Sequence, residues 1–104
     1  MPSICVFCAS SERIDPSYKT QATELGHLLS DLDLTLVYGG ARIGLMGAVA
    51  DAMLAHKSKV IGVIPEHLKE KEVAHEGLSE LHITQTMQER QTKMADLADA
   101  FIVL

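Results

Sequence analysis

The chain has 104 residues, enough for one domain, and combines an ordinary hydrophobic fraction of 47% with a formal net charge of −5. The acidic balance argues against nucleic-acid binding, which usually requires a basic face, and no apolar stretch nears the roughly 18 residues that span a bilayer. No signal peptide precedes the first predicted strand, so we expect a cytoplasmic protein with neither a nucleic-acid nor a membrane partner.

The first half of the chain predicts two strand–helix units. Residues 3–8 predict a strand, and Asp15-Pro16 is a favourable helix start, with Asp15 as N-cap and Pro16 in the first helical position. Residues 34–38 predict the second strand, and residues 45–56, rich in Ala and Met, the second helix. The first helix should end near residue 31 and bury an apolar stripe of Ala22, Leu25, Leu28, Leu29 and Leu32.

The second half continues the alternation. Residues 60–64 predict a third strand closed by Pro65, residues 66–77 a charged connection, and residues 80–84 a brief fourth strand. Thr86 and Glu89 have the spacing of a capping box, which predicts a helix from Met87 to about residue 98. Residues 100–104 are fully apolar and predict a last strand.

Strands without polar alternation, separated by helices, predict a parallel sheet covered on both faces. With right-handed connections, this is an α/β fold: a Rossmann-like doubly wound sheet forming a single nucleotide-binding domain over residues 1–104. The last strand should lie beside the first and would leave a long apolar edge exposed. We therefore expect the domain to be truncated at its C-terminus, or to be completed by another chain.

A glycine-rich turn joins the second strand to the second helix. Such a turn aims backbone N–H groups and the positive end of a helix dipole at one point, which suits a phosphate, and glycine permits its close approach. Ala41 stands where a dinucleotide fingerprint needs glycine, and Leu45 takes the lysine position of a P-loop, so both sites are disfavoured. A phosphate-contacting turn and a merely tight, closely packed turn remain open. The segment reads Tyr38-Gly39-Gly40-Ala41-Arg42-Ile43-Gly44-Leu45-Met46-Gly47.

Ser10, Ser11 and Arg90 are candidates for contact with a ligand. The two serines follow the first strand and could hydrogen-bond a sugar or phosphate, or simply satisfy the backbone of a turn. Arg90 falls on the buried stripe of the third helix with Met87 and Met94, near the positive helix end. There it must meet a carboxylate or a bound anion, unless its stem runs along apolar surface to water.

Other ionisable residues carry weaker signals. Glu66 follows the third strand, where a ribose-binding carboxylate could lie, whereas Glu72 lies in a charged loop, whose residues are usually just solvated. Cys5 and Cys8 form a C-x-x-C inside a strand, where positions three apart face opposite sides, so we expect buried, unreactive thiols. A metal would need two more ligands, and the five histidines form no cluster, so no metal site is predicted.

With these residues placed, the sequence resembles the LOG family of cytokinin riboside 5′-monophosphate phosphoribohydrolases, often mislabelled lysine decarboxylases. The resemblance runs through all 104 residues. It rests on Ile4-Cys5-Val6-Phe7-Cys8-Ala9-Ser10-Ser11, Asp15-Pro16-Ser17-Tyr18, the glycine-rich turn, Val60-Ile61-Gly62-Val63-Ile64-Pro65, Met87-x-x-Arg90-x-x-x-Met94-Ala95 and Ala98-Asp99-Ala100-Phe101-Ile102-Val103-Leu104.

The resemblance implies a homodimeric enzyme that hydrolyses the N-glycosidic bond of AMP or its N6-substituted derivatives. The products would be the free base and ribose 5-phosphate, with no cofactor. Arg90 would be the catalytic arginine, and Glu72 a substrate-binding glutamate. The full substrate-binding set that we predict is Ser10, Ser11, Gly39, Gly40, Gly44, Met46, Glu72, Arg90 and Gln91.

The sequence departs from the family pattern in three places. Ala9 and Ala41 replace common glycines, and Gln91 replaces the lysine that members usually carry beside the arginine. The family's Pro-Gly-Gly-x-Gly-Thr-x-x-Glu motif, which supplies the phosphate-cradling turn and the catalytic glutamate, would follow Leu104, so we expect this chain alone to be inactive. A non-catalytic nucleotide or cofactor carrier of the same fold, and a short interaction protein that completes its sheet with a partner, remain as alternatives.

Overall fold

In residues 2–8 and 15–104, which the computed structural model describes, five parallel strands alternate with three α-helices. All the predicted elements are present, with bounds within one residue of those expected. Ser10 and Ser11 lie outside the described residues. The elements are β1 (Ser3–Phe7), α1 (Pro16–Asp31), β2 (Thr35–Tyr38), α2 (Gly44–Ala55), β3 (Val60–Pro65), a 3-10 turn (Glu66–Leu68), β4 (Glu80–Thr84), α3 (Met87–Leu97) and β5 (Ala100–Val103).

The strands form one sheet in the order β4-β3-β2-β1-β5, and every neighbouring pair is parallel. The chain builds outward from β1 to β4, then returns to place β5 on the other side of β1. This confirms the α/β Rossmann-like fold. Because the strand order reverses beside β1, a crevice is expected at the carboxyl ends of β1 and β5, where open α/β sheets bind their ligands.

Local capping explains where two helices begin. The carboxylate of Asp15 accepts a hydrogen bond from the Ser17 N–H at 2.9 Å, which holds the pKa of Asp15 below its usual range, and Pro16 opens α1. At α3 the predicted capping bond is present, because Glu89 N–H donates to Thr86 Oγ1 at 3.0 Å. Glu89 in turn accepts from the Gln85 N–H at 2.9 Å. These bonds satisfy N–H groups that a helix start leaves unpaired.

Helices cover both faces of the sheet, as predicted. On one face α1 and α2 pack over a core that includes Leu29, Leu36, Tyr38 and Met53. On the other face α3 contributes Met94, which packs against strand residues of a second cluster: Cys5, Val37, Ile61 and Val63. The carboxyl edge of the sheet is therefore bordered by α2 on one side and by α3 on the other.

The predicted apolar stripes were too wide. Leu28 and Leu32 are more than half exposed, because α1 packs on α2 through a narrow face centred on Gly26. At 3.6 residues per turn, Leu28 points about 200° away from that face. Met87, the first residue of α3, is also exposed. Phe101 is exposed on β5, an edge strand of the described sheet, in agreement with the apolar edge that the sequence predicted.

Gly26 sets the distance between α1 and α2. A Cβ at this position would lie 2.6 Å from the Ala52 Cβ and 2.8 Å from the Val49 carbonyl oxygen. We therefore predict that Gly26→Ala lowers the free energy of unfolding by about 1–3 kcal/mol through overpacking, although alanine favours helix. Urea unfolding of the natural-length protein measures this, with Gln21→Ala on the exposed side of α1 as control. A Gly26→Ala variant as stable as the parent would contradict the close packing.

Candidate active site

A cavity of about 160 Å³ lies at the carboxyl edge of the sheet. The end of β1, the start of the turn after β2 and the inner faces of α2 and α3 border it. This is the position that the reversed strand order predicts for a ligand. Its lining residues are Val6, Phe7, Cys8, Gly39, Met46, Arg90, Gln91 and Met94.

Arg90 is the buried charge at this cavity. It sits in the first turn of α3 and is only 5% exposed, so its stem does not carry the guanidinium out to the protein surface. Nε donates to the Val63 carbonyl at 2.9 Å, and Nη2 donates to the Gly39 carbonyl and, at 2.9 Å, to Glu72 Oε1. Nη1 makes a long contact of 3.8 Å with Met87 Sδ. The expectation that an inward arginine meets a carboxylate is thus satisfied by Glu72.

Glu72 comes to Arg90 from the charged connection, residues 66–77, which we call the strap. Its side chain is 16% exposed, and its backbone N–H donates to the Leu68 carbonyl at 2.8 Å. Glu66, the other carboxylate considered, instead lies at the exposed start of the strap and pairs with Lys69 at 3.9 Å. The strap therefore brings one of these two acidic residues against Arg90, next to the cavity, and leaves the other at the surface.

The strap is hydrogen-bonded to the glycine-rich turn. Arg42 N–H donates to the Val73 carbonyl at 2.8 Å, and His75 N–H donates to the Gly40 carbonyl at 2.9 Å. These bonds form an isolated antiparallel bridge between Ala41 and Ala74. Two segments that are distant in sequence are thereby held as one wall beside Arg90.

Close packing explains the glycine that touches Arg90. A Cβ on Gly39 would collide with the guanidinium of Arg90 and lie 2.7 Å from Met46 Sδ. Gly40 and Gly44 have φ of +79° and +64°, the left-handed region that glycine adopts without strain. Gly40 is not among the residues lining the cavity, and its Cβ direction faces Ile64 at 3.2 Å. The turn is tight because its backbone packs against Arg90 and hydrogen-bonds to the strap.

A buried tyrosine holds the glycine-rich turn from the core of the protein. Tyr38 is fully buried, and its hydroxyl donates to the Ala41 carbonyl at 2.7 Å. Burial also raises the pKa of Tyr38, with smaller contributions from the charges of Asp51 and Cys8. The phenol therefore stays protonated and remains a hydrogen-bond donor to the turn at neutral pH.

The thiols are unreactive. Burial raises the pKa of Cys5 to about 11, and burial with the added charge of Cys5 raises that of Cys8 to about 12. Both thiols are thus protonated at neutral pH, and they pack on opposite faces of the sheet. A redox pair is therefore disfavoured, as the strand position predicted. Among residues 2–8 and 15–104, no group of three or more His, Cys, Asp or Glu side chains is placed to hold a metal ion, and no helix is long and apolar enough to cross a membrane.

The structure brings Gly39, Met46, Arg90 and Gln91 together at the cavity, and joins Glu72 to it through Arg90. Gln91 is exposed at its mouth. The sequence did not single out the apolar lining, although its place at the carboxyl end of β1 is a usable signal. Those additional residues are Val6, Phe7, Cys8 and Met94.

A larger depression of about 580 Å³ runs along the outer side of α3. It begins at the end of β4, at Thr84, but none of its charged lining residues is buried, and Arg90 does not line it. The smaller cavity is therefore the better candidate site. The residues of the depression are Thr84, Thr86, Gln88, Glu89, Thr92, Lys93 and Asp96.

The structure defines a Rossmann-like α/β protein with a cavity at the carboxyl edge of its parallel sheet. A family profile described as "Possible lysine decarboxylase" matches residues 46–104. The chain belongs to this family. This agrees with the LOG resemblance found from the sequence motifs.

Two curated relatives match nearly the whole chain. It is 45% identical over 103 residues to the cytokinin riboside 5′-monophosphate phosphoribohydrolase of Rhodococcoides fascians, covering 98% of this chain and 52% of that protein. It is 46% identical over 101 residues to the cytokinin riboside 5′-monophosphate phosphoribohydrolase LOG of Oryza sativa subsp. japonica, covering 97% and 42%. The chain thus spans about half the length of the curated relatives it matches.

A solved structure shares the fold at lower identity. The molybdenum cofactor binding protein from Rippkaea orientalis superposes with a TM-score of 0.79 at 20% identity, covering 98% of this chain and 61% of that chain. At this identity the likeness shows the fold alone.

Removing Arg90 should destabilise the protein more than neutralising Glu72. Arg90→Ala removes the donor to the Val63 and Gly39 carbonyls and the cation that faces the Glu72 carboxylate, which should cost about 3–5 kcal/mol. Glu72→Gln retains an acceptor oxygen and should cost about 1 kcal/mol. Urea unfolding of the natural-length protein measures both.

Lys59→Ala is the control for these two variants. It breaks an ion pair with Glu80 that is exposed on both sides, so the unfolding midpoint should hardly change. If Arg90→Ala were no less stable than this control, the guanidinium would not anchor the three segments.

Proposed function

We propose that the protein is a hydrolase that cleaves the N-glycosidic bond of a nucleoside 5′-monophosphate, either AMP or an N6-substituted cytokinin nucleotide. The products are the free base and ribose 5-phosphate. The observation that carries this proposal is the buried Arg90–Glu72 pair at the carboxyl-edge cavity of a chain 45% identical to a protein named for this reaction.

The energetics of the pair favour a role in chemistry over a role in stability. Burying a guanidinium and a carboxylate costs desolvation energy that their attraction often fails to exceed, so such a pair is weak evidence for stabilisation. Arg90 is also held by two fixed backbone carbonyls, which keep its guanidinium in one orientation. A charged group that is pre-oriented in a water-poor site is the arrangement from which enzymes gain electrostatic stabilisation.

The reaction needs groups of both charges. Water attacks C1′ of the ribose, the bond from C1′ to the base nitrogen breaks, and its electron pair leaves with the base, which is then protonated. The ribose acquires oxocarbenium character in the transition state. In the proposed mechanism, the carboxylate of Glu72 accepts hydrogen bonds from ribose hydroxyls and offsets the developing positive charge. Arg90 orients Glu72 and offers Nη1 to a substrate oxygen.

The remaining predicted contacts form the walls of the site. We propose that Gly39 and Met46 border the nucleotide and that Gln91 contacts it at the cavity mouth. Gly44 begins α2, whose N-cap residue Ile43 supplies no side-chain hydrogen bond, so the positive end of this helix is suited to the 5′-phosphate. In this proposal Gly40 acts through the shape of the turn, and Ser10 and Ser11 contact the sugar or phosphate from the end of β1.

A non-catalytic carrier of the same fold is less well supported. The molybdenum cofactor protein is 20% identical to this chain, whereas the relatives named for hydrolysis are about 45% identical. We further propose that the enzyme is a cytoplasmic homodimer without a nucleic-acid partner. The exposed Leu28 and Leu32 of α1 support the homodimer, and the net charge of −5 supports the absence of a nucleic-acid partner.

Release of adenine and ribose 5-phosphate from AMP tests the proposal. The natural-length protein should release both in equal amounts, and residues 1–104 alone should release neither. Arg90→Ala should lower kcat by at least about 100-fold, the cost of removing one pre-oriented donor. Chromatography of the base and an assay for the sugar phosphate provide the measurement.

Lys93→Ala is the matched control, because Lys93 lies on α3 but lines the outer depression and not the cavity. Its kcat should stay within about twofold of the parent. Tight binding of AMP by the natural-length protein without release of adenine would favour the carrier and contradict the hydrolase.

A further inference from the structure

His75 is a buried residue of the strap whose side chain and backbone both reach other elements. Its backbone N–H donates to the Gly40 carbonyl of the glycine-rich turn, and its ring is only 8% exposed. Nδ1 accepts the Gly77 N–H at 2.9 Å, and Nε2 lies 2.7 Å from Asp51 Oδ1 on α2. One residue therefore connects the strap to both the turn and the second helix.

The hydrogen bonds indicate which nitrogen of the His75 ring carries the proton. A backbone N–H can only donate, so the contact with Gly77 requires that Nδ1 carry no proton. The ring proton then sits on Nε2 and is donated to the carboxylate of Asp51. The bond is charge-assisted, and water screens it in part because the Asp51 side chain is 63% exposed, so it ties the strap to α2 with moderate strength.

Asp51 is conspicuous in its own helix. It is the single charged residue in α2, whose sequence is Gly-Leu-Met-Gly-Ala-Val-Ala-Asp-Ala-Met-Leu-Ala. Its side chain is 63% exposed, so the charge is placed there without a large desolvation cost, and it meets the strap at the protein surface. A lone carboxylate in an apolar helix was the sequence signal that could have identified this pair.

The strap needs such a tie because its backbone is strained beside Glu72. Val73 has φ of 55°, in the left-handed region that β-branched residues rarely adopt. Strained conformations of this kind persist where neighbouring contacts over-determine them. Here Val73 is followed by bonds on its C-terminal side, from Ala74 N–H to the Lys69 carbonyl at 2.9 Å and from His75 to Gly40 and Asp51.

We propose that His75 and Asp51 are positioning residues for the reaction, whose hydrogen bond holds the strap so that Glu72 stays against Arg90. Neither residue lines the cavity, and their link to it runs along the strap to Glu72, whose carboxylate contacts the cavity residue Arg90. The inference rests on the proposed function, because it assigns a role within that same site. A strap released from α2 would populate the Glu72–Arg90 arrangement for a smaller fraction of the time, and kcat/KM would fall in proportion.

Conservative and disruptive variants separate this bond from the others that His75 makes. His75→Gln keeps an N–H donor that can reach Asp51, whereas His75→Asn keeps an acceptor for Gly77 but is too short for Asp51. Asp51→Asn keeps an acceptor oxygen, and Asp51→Ala removes it. On AMP, we expect His75→Gln and Asp51→Asn to stay within about twofold of the parent kcat/KM. His75→Asn and Asp51→Ala should lose about 5- to 10-fold, less than a fully buried hydrogen bond to a charged group would cost, because Asp51 is mostly exposed.

Two combined variants test whether the loss of kcat/KM arises from the His75–Asp51 bond and acts through Glu72. The double variant His75→Asn/Asp51→Ala should be no worse than either single variant, because both remove one bond. Added to Glu72→Gln, Asp51→Ala should cost less than about twofold more, since the residue being positioned is already altered. Glu76→Ala, an exposed neighbour of His75 in the strap, is the control and should match the parent.

Hydrogen exchange of residues 66–77 in the natural-length protein gives a readout that does not depend on activity. Asp51→Ala alters an exposed helical position, so it should fold, and exchange of the strap should rise about 10-fold while α1 is unchanged. Unchanged exchange would overturn the inference, whether or not the protein hydrolyses AMP. Faster exchange with an unchanged kcat/KM would overturn the positioning role. If the parent releases no adenine, the proposed function fails and with it the positioning role, and exchange then decides only whether Asp51 ties the strap to α2.

Discussion

The buried guanidinium of Arg90 is the interaction on which the site depends. Its three acceptors come from β3, from the turn after β2 and from the strap, so one side chain joins segments that are far apart in sequence. A buried charge is tolerated only when its donors are satisfied, which ties the positions of these segments to one another. Gly39 belongs to the same constraint, because any side chain there would occupy the space of the guanidinium.

The fold places this charge where a ligand can use it. A parallel sheet brings the carboxyl ends of its strands to one edge, and the return of β5 to the far side of β1 opens a crevice there. The inner ends of α2 and α3 approach that edge from opposite faces, with Met46 on one and Arg90 on the other. The cavity is therefore a consequence of strand order and helix placement, and Arg90 is the buried charge in its wall.

The strands, the helices and Arg90 could be predicted from the sequence, whereas the packing face of α1 and the role of the strap could not. The elements follow from apolar runs and caps, and Arg90 was found because it interrupts the buried stripe of α3. Leu28 was wrongly expected to be buried, because periodicity does not reveal that α1 packs through the narrow face at Gly26. Glu72 carried only a weak signal, since several glutamates of the strap look alike in sequence. Glu72 points towards Arg90 where the next residue, Val73, has a left-handed backbone conformation, and no local sequence preference predicts that conformation.

A crystal structure of the natural-length protein with ribose 5-phosphate tests the central claim most directly. We expect the sugar to occupy the cavity beside Gly39 and Met46, with an oxygen within hydrogen-bond distance of the Arg90 guanidinium or Glu72. Arg90 Nε should remain bound to the Val63 carbonyl. A sugar phosphate bound elsewhere, such as in the depression outside α3, and making no contact with Arg90 or Glu72, would contradict the assignment of the cavity as the ligand site.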